Sequence, residues 1–246
     1  MQMKMRKKPS IGTNGDAELG GDAQLGGRIR KVTMAHIVAT SEKVFAQAGF
    51  NGVSMADLAK AAELPKPNLH YYFGNKEGLY RAVLANIMSV WISATDHIQP
   101  GNDPAEALSH YVRSKIALSK DRPHASRVFA NEILHGAPQL RSFLANDLRA
   151  LVKEKTRVFE HWAERGLMEK VNAPHLLFAI WAMTQTYADF EAQIGPVLGV
   201  AKMGDAVYED GAETIIRLVL RGGGVKARAA TPRRRAAARK TSAARP

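Results

Sequence analysis

Seven side chains between residues 54 and 76 have the chemistry to recognise a double-stranded nucleic acid: Ser54, Lys66, Asn68, His70, Tyr71, Tyr72 and Lys76, in SMADLAKAAELPKPNLHYYFGNK. A lysine ammonium donates well to guanine O6 and N7, and an asparagine amide pairs bidentately with adenine. Hydroxyl, phenol, imidazole and ammonium groups, with the free amides at helix starts, suit phosphate oxygens. Lys66 and Asn68 fall on the outer side of a short helix, which makes them the candidates for base edges. Ser54, His70, Tyr71, Tyr72 and Lys76 are the candidates for the sugar–phosphate backbone.

Other chemistries have little support. The chain has no cysteine, so disulfides, thiolate metal sites and thiol nucleophiles are excluded. None of the eight histidines forms an H-x-x-x-H pair. No metal or cofactor is therefore expected, and His124, His135 and His161 are expected as surface or core residues. G-x-S-x-G and P-loop motifs are absent, as is any acid/base constellation, so an enzyme is not expected. No run approaches 18 uninterrupted apolar residues, and no apolar stretch follows the basic N-terminus, so neither a membrane span nor a signal peptide is expected. A cytoplasmic protein fits these absences.

The net charge of +12 is carried by the ends. Residues 1–31 hold seven Lys/Arg against three acids, and residues 222–246 hold eight against none. The segment between them is neutral, with 20 of each sign. Basic ends suggest contact with polyanions, but they carry no sequence preference. Two readings follow. One is a site-specific DNA reader built on residues 54–76. The alternative is a non-specific, nucleoid-type protein that coats DNA through its tails.

The elements that must position these side chains are helices. Residues 1–27, with the imperfect repeat GDAELGGDAQLGG, are expected as a disordered leader. From Arg28 an apolar face (Val32, Ala35, Ile37, Val38, Val44, Phe45, Ala48) predicts a helix that Gly49-Phe50 stops. Ser54 and Asp57 have capping-box spacing for a short helix over 55–62. Glu63-Leu64 forms the turn, with Glu63 at the left-handed position, and Pro65 and Pro67 suit the first turn of the next helix. Small Ala59 allows a close helix crossing, pinned by Leu58, Ala62, Leu64, Leu69 and Tyr72. An ordinary αα-hairpin with a solvated face is the competing reading. Further helices are expected over 76–94, 104–119, 123–135, 138–165, 173–194 and 203–221, punctuated by Gly and Pro clusters. The fold class is all-α with about nine helices. The domains are 28–75 (helix-turn-helix), 76–221 (ligand binding and dimerisation) and 222–246 (disordered basic tail).

At this point the chain resembles a known family. FAQAGFNGVSMADLAKAAELPKPNLHYYFGNKEGLYRAVL is similar to the N-terminal domain of TetR-family bacterial regulators. SKDRPHASRVFANEILHGAPQL and HLLFAIWAMTQTYADFEAQIGPVLG resemble the C-terminal region of its RutR-like subgroup, which responds to uracil or thymine. The resemblance spans roughly residues 30–220. It implies a homodimeric all-α repressor on a pseudo-palindromic DNA operator, released by a small-molecule effector bound among the central helices. Glu63, Pro65 and Pro67 depart from the usual residues, so no operator sequence carries over.

An effector cavity calls for polar groups within apolar helices. Trp181, Gln185 and Asp189, spaced i, i+4 and i+8, share one face and offer stacking with donor–acceptor pairs. Trp91, Asn131 and Glu132 are further candidates, and packing roles compete at every one of these positions. For the dimer interface, the last two long helices offer Leu176, Ile180, Tyr187, Ile194, Val207, Ile215, Leu218 and Val219.

Overall fold

The computed structural model describes residues 16–226, and all regular structure among them is helical. The N-terminal head comprises α1 (Asp16–Ala48), α2 (Met55–Ala61) and α3 (Lys66–Phe73). Then come α4 (Lys76–Ser93), α5 (Pro104–Asp121) and α6 (Pro123–Leu134). A continuous rod follows, made of α7 (Arg141–Phe143), a π turn (Leu144–Leu148) and α8 (Arg149–Glu164). The chain closes with α9 (Ala173–Asp189), α10 (Glu191–Leu198) and α11 (Asp205–Gly222). Counting the 141–164 rod once, the described residues form ten helical segments rather than nine.

The extra segment arises at Phe190, whose φ of −116° and ψ of 28° break the long helix expected over 173–194. Its amide still reaches the Thr186 carbonyl, so α9 ends paired and α10 restarts at once. Gly195-Pro196 does not stop α10. The Val200 amide closes on the Gly195 carbonyl, and the chain turns at Gly199, where φ is +69°.

Both ends differ from expectation. α1 begins at Asp16, so the leader expected over 1–27 is helical from that residue on. Once a packed helix is nucleated, each added residue gains a backbone hydrogen bond. The packing face of α1 starts later, at Ile37, and Val32 is exposed. At the other end, 223–226 fold back on the α8–α9 connection. The Glu169 amide donates to the Gly223 carbonyl, and the Lys226 amide to that of Leu167. The basic tail expected from 222 therefore starts no earlier than 227. The rest of it, like residues 1–15, lies outside the described residues.

Two apolar cores result. The first joins Ile37, Phe45, Leu58, Leu69, Leu79, Val83 and Leu84 of the head and α4 to Ala125 and Val128 of α6. The second joins Leu108, Tyr111 and Val112 of α5 to Phe159 and Trp162 of α8, Ile180 of α9 and Ile215 and Val219 of α11. Helix α4 belongs to the first core and leads directly into the space between the two.

Candidate DNA-reading head and ligand cavity

The head follows its local sequence closely. Ser54 caps α2: its hydroxyl accepts from the Asp57 amide at 3.2 Å, and the Asp57 carboxylate accepts from the Ser54 amide at 2.9 Å. These bonds hold the fully exposed Asp57 carboxyl below its ordinary value. Glu63 has φ +55°, the left-handed turn expected of it, at a cost on the order of 1 kcal/mol for a residue with a Cβ. Pro65 stands just ahead of α3 and Pro67 within its first turn, where a missing N–H breaks no helical bond. His36 of α1 contacts the Ala62 carbonyl at 3.1 Å and fastens the α2–α3 turn to the long helix.

On this frame Lys66 and Asn68 occupy the exposed first turn of α3, whose start has no side-chain cap. Tyr71 points outward, 71% exposed. His70 is exposed, with Nδ1 against the Gly74 carbonyl at 2.8 Å, leaving Nε2 facing out. Arg30 lies over the Tyr71 and Tyr72 rings at 5.6 and 5.9 Å, which adds a cation from α1 to this face.

Three of the residues expected at phosphates make contacts within the protein. The Lys76 ammonium turns inward. It donates to the Phe50 and Val53 carbonyls at 2.9 Å each and sits 4.4 Å from the Phe50 ring centre, clamping the α1–α2 loop to α4. The Ser54 hydroxyl donates to Asp57 at 2.6 Å, so its proton is committed within the cap. Tyr72 is half-buried against the first core, where it pins α3.

Between the two cores lies a partly open cavity of about 50 Å³. Helix α4 and the residues after it contribute Met88, Trp91, Ile92 and Thr95; α5 contributes Tyr111 and Lys115; α6 contributes Phe129. The far wall is Leu148 of the π turn, Leu151 of α8, and Trp181 and Gln185 of α9. Trp91, Trp181 and Gln185 thus line one cavity. Trp91 packs edge-on to Phe129, with ring centres 4.8 Å apart. The Trp181 Nε1–H donates to the Tyr111 hydroxyl at 2.7 Å, which fixes the indole. Burial pushes the Tyr111 phenol up to about 12.

The remaining cavity candidates are placed elsewhere. Asp189 does not line it. The carboxyl packs near Ser126, and burial raises it above the ordinary carboxylate value against the opposing pull of Ser126, Arg127 and Lys115. Glu132 is buried, and its carboxylate accepts from the Gln139 amide at 2.6 Å, closing the α6–α7 turn. Burial and this carboxylate together push the Tyr80 phenol up. Asn131 is half-buried outside the lining, and its carbonyl contacts His135 Nδ1 at 2.7 Å.

Lys115 is the important residue that sequence reasoning missed. Only 3% exposed, it sits with Nζ 3.8 Å from the centre of the Trp91 ring, and burial lowers its pKa to about 7, with partial opposition from Asp189. The available signal was a lone lysine between apolar Tyr111-Val112 and Ile116-Ala117.

The expected dimer residues divide. Ile180, Ile215 and Val219 are buried in the second core, and Leu176, Tyr187, Ile194 and Val207 are half-buried. Leu218 is exposed, as are Phe178, Phe190, Val197 and Leu198, which leaves an apolar face on α9–α11.

Comparison with known proteins agrees with this geometry. Residues 37–83 match the family described as bacterial regulatory proteins, tetR family, and residues 84–226 match the YcdC-like protein, C-terminal region. The chain is 37% identical over 186 residues to the HTH-type transcriptional regulator RutR of Escherichia coli (strain K12), covering 76% of this chain and 88% of the relative. It is 22% identical over 175 residues to the HTH-type transcriptional repressor NemR of Escherichia coli (strain K12), covering 67% and 88%. Among solved structures, AibR in complex with isovaleryl coenzyme A and operator DNA aligns with a TM-score of 0.60 at 20% identity, covering 76% of this chain and 97% of that one. The ketosteroid transcriptional regulator KstR2 of Mycobacterium tuberculosis aligns with a TM-score of 0.62 at 16% identity, covering 79% and 95%. These two share the fold.

Proposed function

Since the chain belongs to the TetR family of bacterial regulatory proteins and is a helix-turn-helix transcriptional regulator, we propose that it acts as a homodimeric repressor. A small planar ligand, a pyrimidine base such as uracil or thymine, releases it from a pseudo-palindromic operator. It works in the bacterial cytoplasm, on DNA, without catalytic activity. The cavity carries this reading. Two indoles, a phenyl ring and a primary amide line a space suited to one small aromatic ring. The resemblance to the pyrimidine-responsive subgroup supports the choice of base.

In this reading α3 enters the major groove, with Lys66 and Asn68 at base edges. Tyr71, His70 and Arg30 contact the backbone. The exposed apolar face of α9–α11 pairs with its copy about a two-fold axis, which sets the two heads about 34–36 Å apart for successive major grooves. Helix α4 carries the signal: Leu79 and Val83 pack in the head core, and Trp91 and Ile92 line the cavity. Arg122, where α5 meets α6, pairs with Glu42 of α1 and donates to Asn86 of α4 at 2.9 Å. A ligand that favours one placement of α4 and α5 thereby biases the head, and only to the extent that its affinity differs between the two placements.

The test is a footprint on the protein's own promoter region, with and without uracil or thymine. Protection of a pseudo-palindrome that either base abolishes supports the proposal. The double variant Lys66→Ala/Asn68→Ala is expected to lose specific protection while retaining its melting curve. Unchanged affinity for the same site would remove α3 from the reading role, and indifference to both bases would remove the effector assignment.

The acid-free run of eight basic residues after 221 favours a second contribution, a non-specific and salt-dependent affinity. Deleting residues 227–246 is expected to weaken binding to all DNA and leave the protected sequence unchanged. Loss of the specific footprint on deletion would favour the coating protein instead.

A further inference from the structure

The basic tail leaves the fold at the end farthest from the DNA-reading head. Helix α4 starts at the head, where Lys76 clamps the α1–α2 loop, and runs away from it. Helix α5 returns, and at its end Arg122 pairs with Glu42 of α1. Helix α11 lies antiparallel to α5. Lys120 pairs with Asp205 at 3.0 Å, and Arg113, earlier on α5, pairs with Glu209 and Glu213, later on α11. Val219 then packs in the same core as Ala107 and Leu108, near the start of α5. The end of α11 is thereby carried to the pole opposite the head. There the Val225 amide donates to the Leu220 carbonyl at 2.9 Å and the Lys226 amide to that of Leu167 at 3.0 Å, and Val225 packs against the second core. These contacts fix the point from which the tail sets out.

Helix geometry gives the distances. Helices α5 and α11 have 18 residues each, about 27 Å at a rise of about 1.5 Å per residue. The head adds at least one helix diameter, about 10 Å, so a duplex against α3 lies roughly 40 Å from Lys226. A fully stretched chain advances at most about 3.6 Å per residue, so Arg228 lies no more than about 7 Å from Lys226 and Arg235 no more than about 32 Å. Arg228 and the Arg233-Arg234-Arg235 run therefore fall short of the duplex that α3 reads.

The composition of the tail narrows its partner. Residues 227–246 hold six Arg and one Lys with no acid, and they contain no aromatic residue and no Leu, Ile, Val or Met. Single-stranded nucleic acid is held by stacking on aromatic rings, and a membrane surface by inserted apolar side chains. The tail offers neither. It offers a row of cations, which suits the closely spaced phosphates of duplex DNA. In a two-fold dimer whose heads share one operator, both tails stand on the side away from it.

Resting on the reading of the chain as an operator-binding dimer, we propose that it also bridges DNA. The heads hold the operator, and the two tails hold a second duplex at the opposite pole without sequence preference. The second duplex is a distant stretch of the same molecule or a separate one, and in the first case the DNA between is looped.

Bead capture with the full-length protein tests this. An operator duplex is fixed to beads, and a labelled duplex without the operator is offered in solution. The wild type is expected to retain the labelled duplex, with retention falling steeply between about 50 and 200 mM salt. The variant Arg233→Gln/Arg234→Gln/Arg235→Gln/Arg239→Gln/Lys240→Gln is expected to retain at least about tenfold less while protecting the same operator sequence. These positions lie beyond the folded core, and the operator footprint reports that the variant is folded. A wild type that protects the operator but captures no second duplex overturns bridging and leaves the regulator reading standing. Capture that persists in the five-site variant places the second duplex elsewhere and also overturns it. Capture displaced by single-stranded RNA, at a mass where unlabelled duplex has no effect, assigns the tail to RNA and overturns it as well. A wild type that protects no operator overturns both bridging and the regulator reading.

Discussion

Replacing Lys115 by Met should make the ligand-free protein more stable, and the structure sets the size of the effect. The lysine is buried beside Trp91, and its pKa falls from 10.5 to about 7, chiefly through desolvation. A pKa difference converts to stability at about 1.4 kcal/mol per pH unit, so at low pH the buried ammonium costs the fold up to about 5 kcal/mol. The sign follows from the direction of the change. The unfolded chain holds this proton up to pH 10.5 and the folded chain releases it near 7. The penalty is complete below about pH 6 and shrinks as pH rises through 7 toward 10.5. Wild-type stability should therefore gain about 2 kcal/mol from this group between pH 7 and 9. Met keeps the chain length without the charge, so Lys115→Met should be more stable by at least about 2 kcal/mol at pH 7, with that portion of the pH dependence gone. Urea unfolding from pH 6 to 9 measures both quantities, with the two proteins held at one protomer concentration because dimerisation contributes to apparent stability. A Lys115→Met protein that is less stable than wild type and follows the same pH profile would refute the reasoning. It would mean that the ammonium is well solvated or paired.

Three further outcomes check the head and its coupling. Lys76→Met removes two bonds to loop carbonyls, and should lower stability by about 1–3 kcal/mol in thermal unfolding; a lysine serving only as a phosphate contact would leave the melting curve unchanged. Glu63→Gly relieves the left-handed backbone at the turn and should stabilise the protein by about 0.5–1 kcal/mol in urea titration, whereas a loss would show that the Glu63 side chain holds the turn. Arg122→Met strands the nearly buried Glu42 carboxylate and should cost about 1–3 kcal/mol, discounted for the partial exposure of the arginine. Glu42→Leu/Arg122→Met should recover most of that loss in the same assay, and a double variant no better than the single would exclude a stranded carboxylate as the cause.

Local rules decided the head. Capping at Ser54, the left-handed turn at Glu63, the stop at Gly49 and the first-turn prolines each depend on a few neighbouring residues, so sequence alone determined them. The same holds for the helix count up to Phe190, where the break comes from a single residue's backbone angles within an otherwise helical run. The i, i+4 spacing of Trp181 and Gln185 was likewise readable, because one helical face carries both.

What sequence could not decide was where the ends of long side chains go. Lys76 stands on an accessible helix start, but its ammonium finds the Phe50 and Val53 carbonyls, more than twenty residues earlier in the chain. Glu132 and Asp189 have the right polarity for a cavity, yet packing between helices sends one to a backbone amide and the other to Ser126. Lys115 reads as an ordinary surface lysine on α5 until α4 and α9 close over it. Composition and period fix which residues share a face of one helix. Which faces meet, and therefore which charge is desolvated, depends on how helices distant in sequence pack. That packing turned an unremarked lysine into the strongest donor in the cavity.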